Sequence, residues 1–209
     1  MKGLLLKDFY MAVKYCKAYL LISLVFAAVS VMGNGNIFFT MYPILLASMI
    51  PVTIISYDER SGWNSYADAL PYTRSMLVSV KYLLVLLVLA ACTVLCVGVQ
   101  LCRMLYVGDF DVHTLLRLLG ILLSVGFFAP SIMLPVIFKL GSEKGRLAYY
   151  AVIVIVCAVC AFIVAVSDSS SMMHTISSSA GSWIAAGTAA VLFPVSWLLS
   201  IIFYQNREL

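Results

Sequence analysis

The longest polar interruption in the chain decides its fold: residues 57–82 read YDERSGWNSYADALPYTRSMLVSVKY. This segment carries charges of both signs, a tryptophan and a Leu-Pro break, and long apolar stretches flank it. Backbone polar groups inside a bilayer must be satisfied within helices, so long apolar stretches separated by short polar ones are typical of helical membrane proteins. The pattern predicts that residues 57–82 form a loop between two membrane spans.

Composition supports the same class of protein. Of the 209 residues, 64% are hydrophobic and 11% are charged, and the mean hydropathy is +1.07. A soluble domain of this length could not hide so much apolar surface. The chain is therefore predicted to be all-α and polytopic, a single transmembrane domain over residues 1–209, with no basic patch for nucleic acid. Cys157 and Cys160 have a redox or metal spacing but lie in an apolar run, which favours simple packing.

Six stretches approach the roughly 20 apolar residues that a bilayer core requires. They are Tyr19–Gly33, Ile37–Ser56, Tyr82–Cys102, Leu118–Phe138, Leu147–Val166 and Trp183–Tyr204. With these spans, Arg103 and Arg117 fall on one side of the membrane and the other basic residues, of 13 in total, on the opposite side. Lysine and arginine accumulate on the cytoplasmic side. A multi-pass protein of the cell membrane with both termini in the cytoplasm is predicted.

Residues 1–18 have the periodicity of an amphipathic helix and lack the continuous apolar run of a membrane span. Apolar residues recur on one helical face and lysines on the other: Leu5, Phe9, Val13 and Cys16 against Lys7, Lys14 and Lys17. This pattern is typical of an amphipathic helix in the cytoplasmic interface, with lysine ammonium groups toward anionic lipid. The alternative, that the lysines are ordinary positive flanking charge, stays open.

Within residues 57–81, a short helix is predicted over about Arg60–Leu70. Asp58-Glu59 could cap and charge its start, Pro71 would stop it, and Thr73 could cap the next helix. Its apolar and aromatic residues share one face by the spacing of three and four: Trp63, Tyr66, Ala67 and Leu70. Two interpretations stay open, because this face could bind a soluble partner or anchor in the lipid headgroups.

Two further segments carry polar residues. Asp109, Asp111 and His113 are metal ligands by type, but no other ligand is near in sequence, which favours solvated helix-start roles. Residues 139–146 form the second cytoplasmic loop, preceded by Pro130 and Pro135, which permit a kink in the fourth span.

These two cytoplasmic loops resemble those of bacterial type-2 ATP-binding-cassette permeases. The resemblance lies in Glu59, Gly62-Trp63, Tyr66, Leu70-Pro71, Arg74 and Lys81-Tyr82, and in Leu134-Pro135, Phe138-Lys139, Gly141, Glu143-Lys144 and Arg146. Relatives of this small six-span subfamily, mostly from Gram-positive bacteria, include permeases for antimicrobial or amphipathic peptides.

The resemblance implies a function and partners. Residues 1–18 would be an elbow helix, and the helix between spans two and three would be a coupling helix that docks on an ATPase subunit. Glu59, Arg60, Trp63, Tyr66, Leu70, Pro71 and Arg74 would serve that coupling, and Lys139, Gly141, Glu143, Lys144 and Arg146 would form the second loop. A second permease, identical or homologous, would complete a dimer. ATP and magnesium would bind the partner, because no phosphate-binding G-x-x-x-x-G-K-[ST] motif is present.

Other functional classes remain as alternatives. An ion-coupled secondary transporter usually places carboxylates or broken helices at the midplane, and the six predicted spans contain no acidic residue. A non-transporting scaffold or sensor would need no coupling helix. No catalytic, cofactor-binding or metal-binding residue is predicted. An exporter of an amphipathic or peptide-like substrate is favoured, and no substrate-binding residue is assigned.

Overall fold

The computed structural model describes residues 2–32, 37–68, 73–108, 111–141, 144 and 179–205. Within these ranges the regular structure is entirely α-helical, as predicted. Seven helices follow one another: α1 (Lys2–Tyr15), α2 (Lys17–Met32), α3 (Ile37–Arg60), α4 (Trp63–Asp68), α5 (Arg74–Val107), α6 (Val112–Leu140) and α7 (Ser179–Gln205).

Three of these helices are long and apolar enough to cross a membrane: α5, α6 and α7. They contain the predicted third, fourth and sixth spans. A fourth candidate is the bent pair of α1 and α2, whose axes change direction by 65°. The predicted second span lies within α3, and the predicted first span lies within α2 as far as Met32, the last described residue before 37. The fifth, Leu147–Val166, lies outside the described residues together with its two cysteines, so the total of six spans stays a prediction.

Small residues and hydroxyl groups join the long helices. Helices α6 and α7 pack most extensively, and at Gly120 an added Cβ would lie 2.9 Å from the Ser182 hydroxyl oxygen. Between α5 and α7, the Tyr82 hydroxyl hydrogen-bonds Ser196 and Ser200 at 2.8 and 2.7 Å. Close approach at small residues and interhelical hydrogen bonds are the usual means of association in lipid, where apolar side chains gain little by leaving the solvent.

The chain bends at Cys16, between α1 and α2, and α1 packs against α3 and α5. The face that it buries in the protein is Leu4, Asp8, Ala12 and Cys16. Phe9 and Val13, of the predicted apolar face, stay 50% and 42% exposed. Helix α1 thus has two faces with apolar residues. One packs against the rest of the protein, and the other, with Phe9 and Val13, faces outward.

The polar segment between α3 and α5 differs from its prediction in one respect. Helix α3 continues through Asp58 and Glu59 to Arg60, so the prediction that Asp58-Glu59 starts the next helix is wrong: α3 keeps its hydrogen bonds for one turn past the apolar stretch. Gly62, at φ 69°, then turns the chain into α4. Thr73 is the N-cap residue of α5, as predicted, although its hydroxyl contacts Ser75 at 3.2 Å instead of a backbone amide.

Candidate functional site

Three apolar stripes converge at the end of α3 that leads into α4, and each carries a charged residue at the same level. On α3 the stripe is Ile50, Ile54 and Asp58, spaced by four. Helix α1 contributes Asp8 beside Ala12, and α5 contributes Lys81 beside Leu84. The apolar members pack into one cluster: Ala12, Cys16, Ile50, Ile54 and Leu84. This packing fixes the three helices in register and brings their charged residues together.

The charged residues form a closed ionic cluster of Lys7, Asp8, Asp58 and Lys81. The Lys81 ammonium lies 2.8 Å from Asp8 Oδ2 and 2.6 Å from Asp58 Oδ2. The Lys7 ammonium lies 2.7 Å from Asp58 Oδ1 and 3.4 Å from Asp8 Oδ1. Each lysine therefore contacts both carboxylates, and the four formal charges sum to zero.

Burial makes this cluster energetically important. The side chains of Asp8 and Asp58 are 3% and 4% exposed, and that of Lys81 is 11% exposed. Leu4, Leu77, Val80 and Tyr204 line the small space around the charges. An unpaired charge in such surroundings costs several kcal/mol, so the four groups depend on one another. Charged groups inside membrane proteins commonly mark functional elements.

Helix α4 rests on the same cluster through Trp63. The Lys7 ammonium lies 3.9 Å from the centroid of the Trp63 ring, a cation–π contact. Ala67, one turn further on, is fully buried, whereas Tyr66 is 60% exposed. The predicted shared face of α4 is therefore divided: Trp63 and Ala67 attach the helix to the protein body, and Tyr66 is presented outward.

The prediction that lysines of residues 1–18 reach toward lipid is wrong for Lys7, because its ammonium turns inward to Asp58 and Trp63. Lys14 and Lys17 are exposed. Sequence reasoning also missed the cluster as a site. One signal was present in the sequence: Asp8 is an acidic residue in the middle of an i, i+4 series of small or apolar residues, Leu4, Ala12 and Cys16.

The other predicted coupling residues are distributed over two helices. Glu59 and Arg60 belong to the last turn of α3 and not to α4. Arg74 begins α5, and its Nη1 donates to the carbonyl oxygen of Gln205 at the end of α7, at 3.2 Å. A cation at a helix C-terminus is favourable because the last carbonyl groups carry partial negative charge. Leu70 and Pro71 lie outside the described residues.

The described part of the second loop continues from α6 and lies beside α7. The Lys139 ammonium lies 5.1 Å from the centroid of the Phe203 ring. Gly141 ends α6 at φ 84°, and its backbone amide donates to Ile137 at 2.8 Å. Lys144 is exposed. Glu143 and Arg146 lie outside the described residues.

Asp111 has the helix-start role that was favoured for it. Its carboxylate accepts hydrogen bonds from the Thr114 hydroxyl at 2.6 Å and from the His113 backbone amide at 3.0 Å. Both hydrogen bonds lower the pKa of Asp111, and the bond from the Thr114 hydroxyl has the larger effect. Asp109 lies outside the described residues, and the described residues contain no group of three or more potential metal ligands.

Comparison with known protein families gives a match over nearly the whole chain. A family model described as "ABC-2 family transporter protein" matches residues 3–205, nearly the whole chain. No curated protein and no solved structure matches. The matched range includes the ionic cluster, α4 and all the long helices.

Proposed function

The chain belongs to the ABC-2 family of transporter proteins, and on that premise we propose that it is the membrane permease subunit of an ATP-driven exporter. A separate ATP-binding-cassette subunit would bind ATP and magnesium and hydrolyse the nucleotide. A second permease, identical or homologous, would complete the transport path. Lipid surrounds the apolar helices, and both termini lie on the cytoplasmic side in this proposal.

The coupling element is α4. One observation carries this assignment: α4 presents Tyr66 outward, while Trp63 holds it against the ionic cluster and Ala67 is buried. Exposed aromatic residues are favoured anchors at protein interfaces. A helix that only anchored in lipid headgroups would have no need of an attachment to α3 and, through Trp63 and Lys7, to α1.

Force on α4 would pass through the cluster. Trp63 contacts Lys7 of α1, and Lys7 shares Asp58 of α3 with Lys81 of α5. A displacement of α4 therefore moves α1, α3 and α5 together, unless it breaks the cation–π contact of Trp63 with Lys7, worth about 0.5–2 kcal/mol, or separates the buried charges behind it, which costs several kcal/mol. Closure of the ATPase subunits would move this unit as a rigid body and favour an outward-open state, because the two states bind nucleotide differently.

The cargo class in this proposal is an amphipathic or peptide-like molecule. Apolar helices with scattered hydroxyl groups suit such a substrate, and the family relationship supports transport without specifying the cargo. Arg74 and Lys139 both lie at the end of α7 and, with the exposed Lys144, would add polar contacts to the ATPase.

The test is association with the ATPase. The tagged chain, extracted from its native membranes in mild detergent, should co-purify with an ATP-binding-cassette ATPase and stimulate its turnover. Tyr66→Ala should weaken this association, because it removes an exposed aromatic side chain. The Tyr66 ring lies 5.5 Å from the Trp63 ring, so the unfolding temperature of the variant is measured alongside. Tyr106→Ala is the matched control, since Tyr106 is 91% exposed near the other end of α5. Equal association of both variants would contradict the assignment of α4.

A further inference from the structure

The face of α3 that points away from the ionic cluster lines a cavity of about 290 Å³ between α2, α3 and α6. Tyr19 of α2 and Met133 of α6 form its other walls. This volume is near the lower limit of small-molecule sites, about 300 Å³. The cavity has room for one polar headgroup and part of one hydrocarbon chain, but not for a whole two-chain lipid.

The lining residues of α3 form a single stripe with a gradient of polarity. In order they are Met49, Val52, Thr53, Ser56, Tyr57 and Arg60. They are spaced by three or four residues or are neighbours, so they share one side of the helix. The stripe extends about 16 Å at 1.5 Å per residue. It passes from apolar side chains through hydroxyl groups to a guanidinium.

The polar end of this stripe has free binding capacity. Arg60 is exposed, and the described part of the chain provides no ion-pair partner for it. Ser56 is 5% exposed and lines the cavity, and the described residues provide no hydrogen-bond partner for its hydroxyl. The Thr53 hydroxyl, in contrast, already donates to the Met49 carbonyl at 3.1 Å.

From this arrangement we infer that the cavity binds an anionic amphiphile, with its headgroup at Arg60, Ser56 and Tyr57 and its chain along Val52, Met49 and Met133. A guanidinium is the preferred partner of phosphate and carboxylate groups. The order of the lining residues also fits a molecule inserted in a bilayer leaflet, because the chain then runs from the α4 end toward the middle of the membrane. The site requires no ATPase partner and goes beyond the proposed function.

The inference is tested by ligand-dependent stabilisation of the purified full chain. In a neutral detergent, dodecyl phosphate should raise the unfolding temperature in a saturable manner, because a ligand that binds only the folded state stabilises it. Dodecyltrimethylammonium, which has the same chain and the opposite charge, should not. Arg60→Gln should weaken dodecyl phosphate binding at least about tenfold, the loss expected for one charge-assisted hydrogen bond. Lys17→Gln, which removes an exposed charge outside the cavity, should leave the binding unchanged.

A second arm distinguishes the sources of the amphiphile. Mass spectrometry of the purified protein would show a retained anionic phospholipid that is lost from Arg60→Gln if the ligand is a resident membrane lipid. Stabilisation by dodecyl phosphate without a retained phospholipid would identify an exchangeable amphiphile. Equal stabilisation by both surfactants, or equal binding by wild type and Arg60→Gln, would overturn the inference.

Discussion

The two sides of the last turns of α3 differ in how they satisfy their charges. On one side the Asp58 side chain is 4% exposed and contacts two lysines at 2.7 and 2.6 Å. On the other side Arg60 is exposed beside an open cavity, with no ion pair among the described residues. Asp58 and Arg60 are only two residues apart on α3. Asp58 belongs to a closed ionic cluster that joins helices, whereas Arg60 forms an open cationic site that can bind a ligand. The closed side is suited to transmit force, and the open side is suited to bind.

The largest effect is expected from breaking the closed side. Asp58→Asn leaves Lys7 and Lys81 with one carboxylate between them, and loss of one partner in a buried ionic group costs about 3–5 kcal/mol of unfolding free energy. Denaturant titration of the purified protein in micelles measures this loss. Glu59→Gln is the matched control, because Glu59 is adjacent in sequence but only half-buried. If both variants lost the same small amount, the cluster would not hold the helices together.

The next effect concerns the attachment of α4. Lys7→Met removes the cation between Trp63 and Asp58, and because its side chain is 25% exposed a smaller loss of about 1–3 kcal/mol is expected. Amide hydrogen exchange should rise in α4 more than in α6. Lys14→Met removes an exposed lysine from the same helix and should change neither quantity. Unchanged hydrogen exchange in α4 would show that Lys7 does not attach this helix to the cluster.

These predictions also indicate what the sequence could and could not provide. The spans within α5, α6 and α7 were predictable, because hydrocarbon imposes long apolar helices of nearly fixed length. The position of Thr73 at a helix start was predictable from local chemistry. The ionic cluster was not, because Asp8, Asp58 and Lys81 are far apart in sequence and meet only where α1 packs against α3 and α5.

The same limit applies to the candidate site. Tyr66 was identified from its spacing on a short helix, and its exposure agrees with a docking role. Trp63 was grouped with it, but spacing on a six-residue helix could not show which residue of that face packs inward. The family resemblance places Arg60 at the start of the coupling helix, whereas α3 extends far enough to carry it to the cavity.

A smaller effect on the unfolding free energy is expected at Tyr82, which follows Lys81 of the cluster and contacts α7. Tyr82→Phe removes hydrogen bonds to Ser196 and Ser200 while keeping the ring. Interhelical hydrogen bonds in membrane proteins average about 0.6 kcal/mol each, so a loss of about 1 kcal/mol is expected in the same unfolding assay. Tyr106→Phe, at an exposed position, should be neutral. A loss as large as that of Asp58→Asn would mean that the cluster is not the main polar contact.

The smallest effect is expected on the open side. Arg60→Gln should change the unfolding free energy, measured without added amphiphile, by no more than about 0.5 kcal/mol, the range for exposed positions without buried partners. Lys17→Gln is the reference for removal of one exposed charge. A loss of several kcal/mol would show that Arg60 is a structural residue, and the contrast between the two sides of α3 would disappear.

The central claim is that the ionic cluster makes α4 and α1 move as one body, and a distance measurement tests it directly. Spin labels at Ser61→Cys, in the exposed turn directly before α4, and at the exposed Tyr10→Cys, in a background with the native cysteines replaced, report the separation of the start of α4 and α1 in the complex with the ATPase. The account predicts a single narrow distance distribution that is the same with and without ATP, and a broadened one in Asp58→Asn. A distribution that shifts with ATP in the otherwise unchanged protein would contradict it.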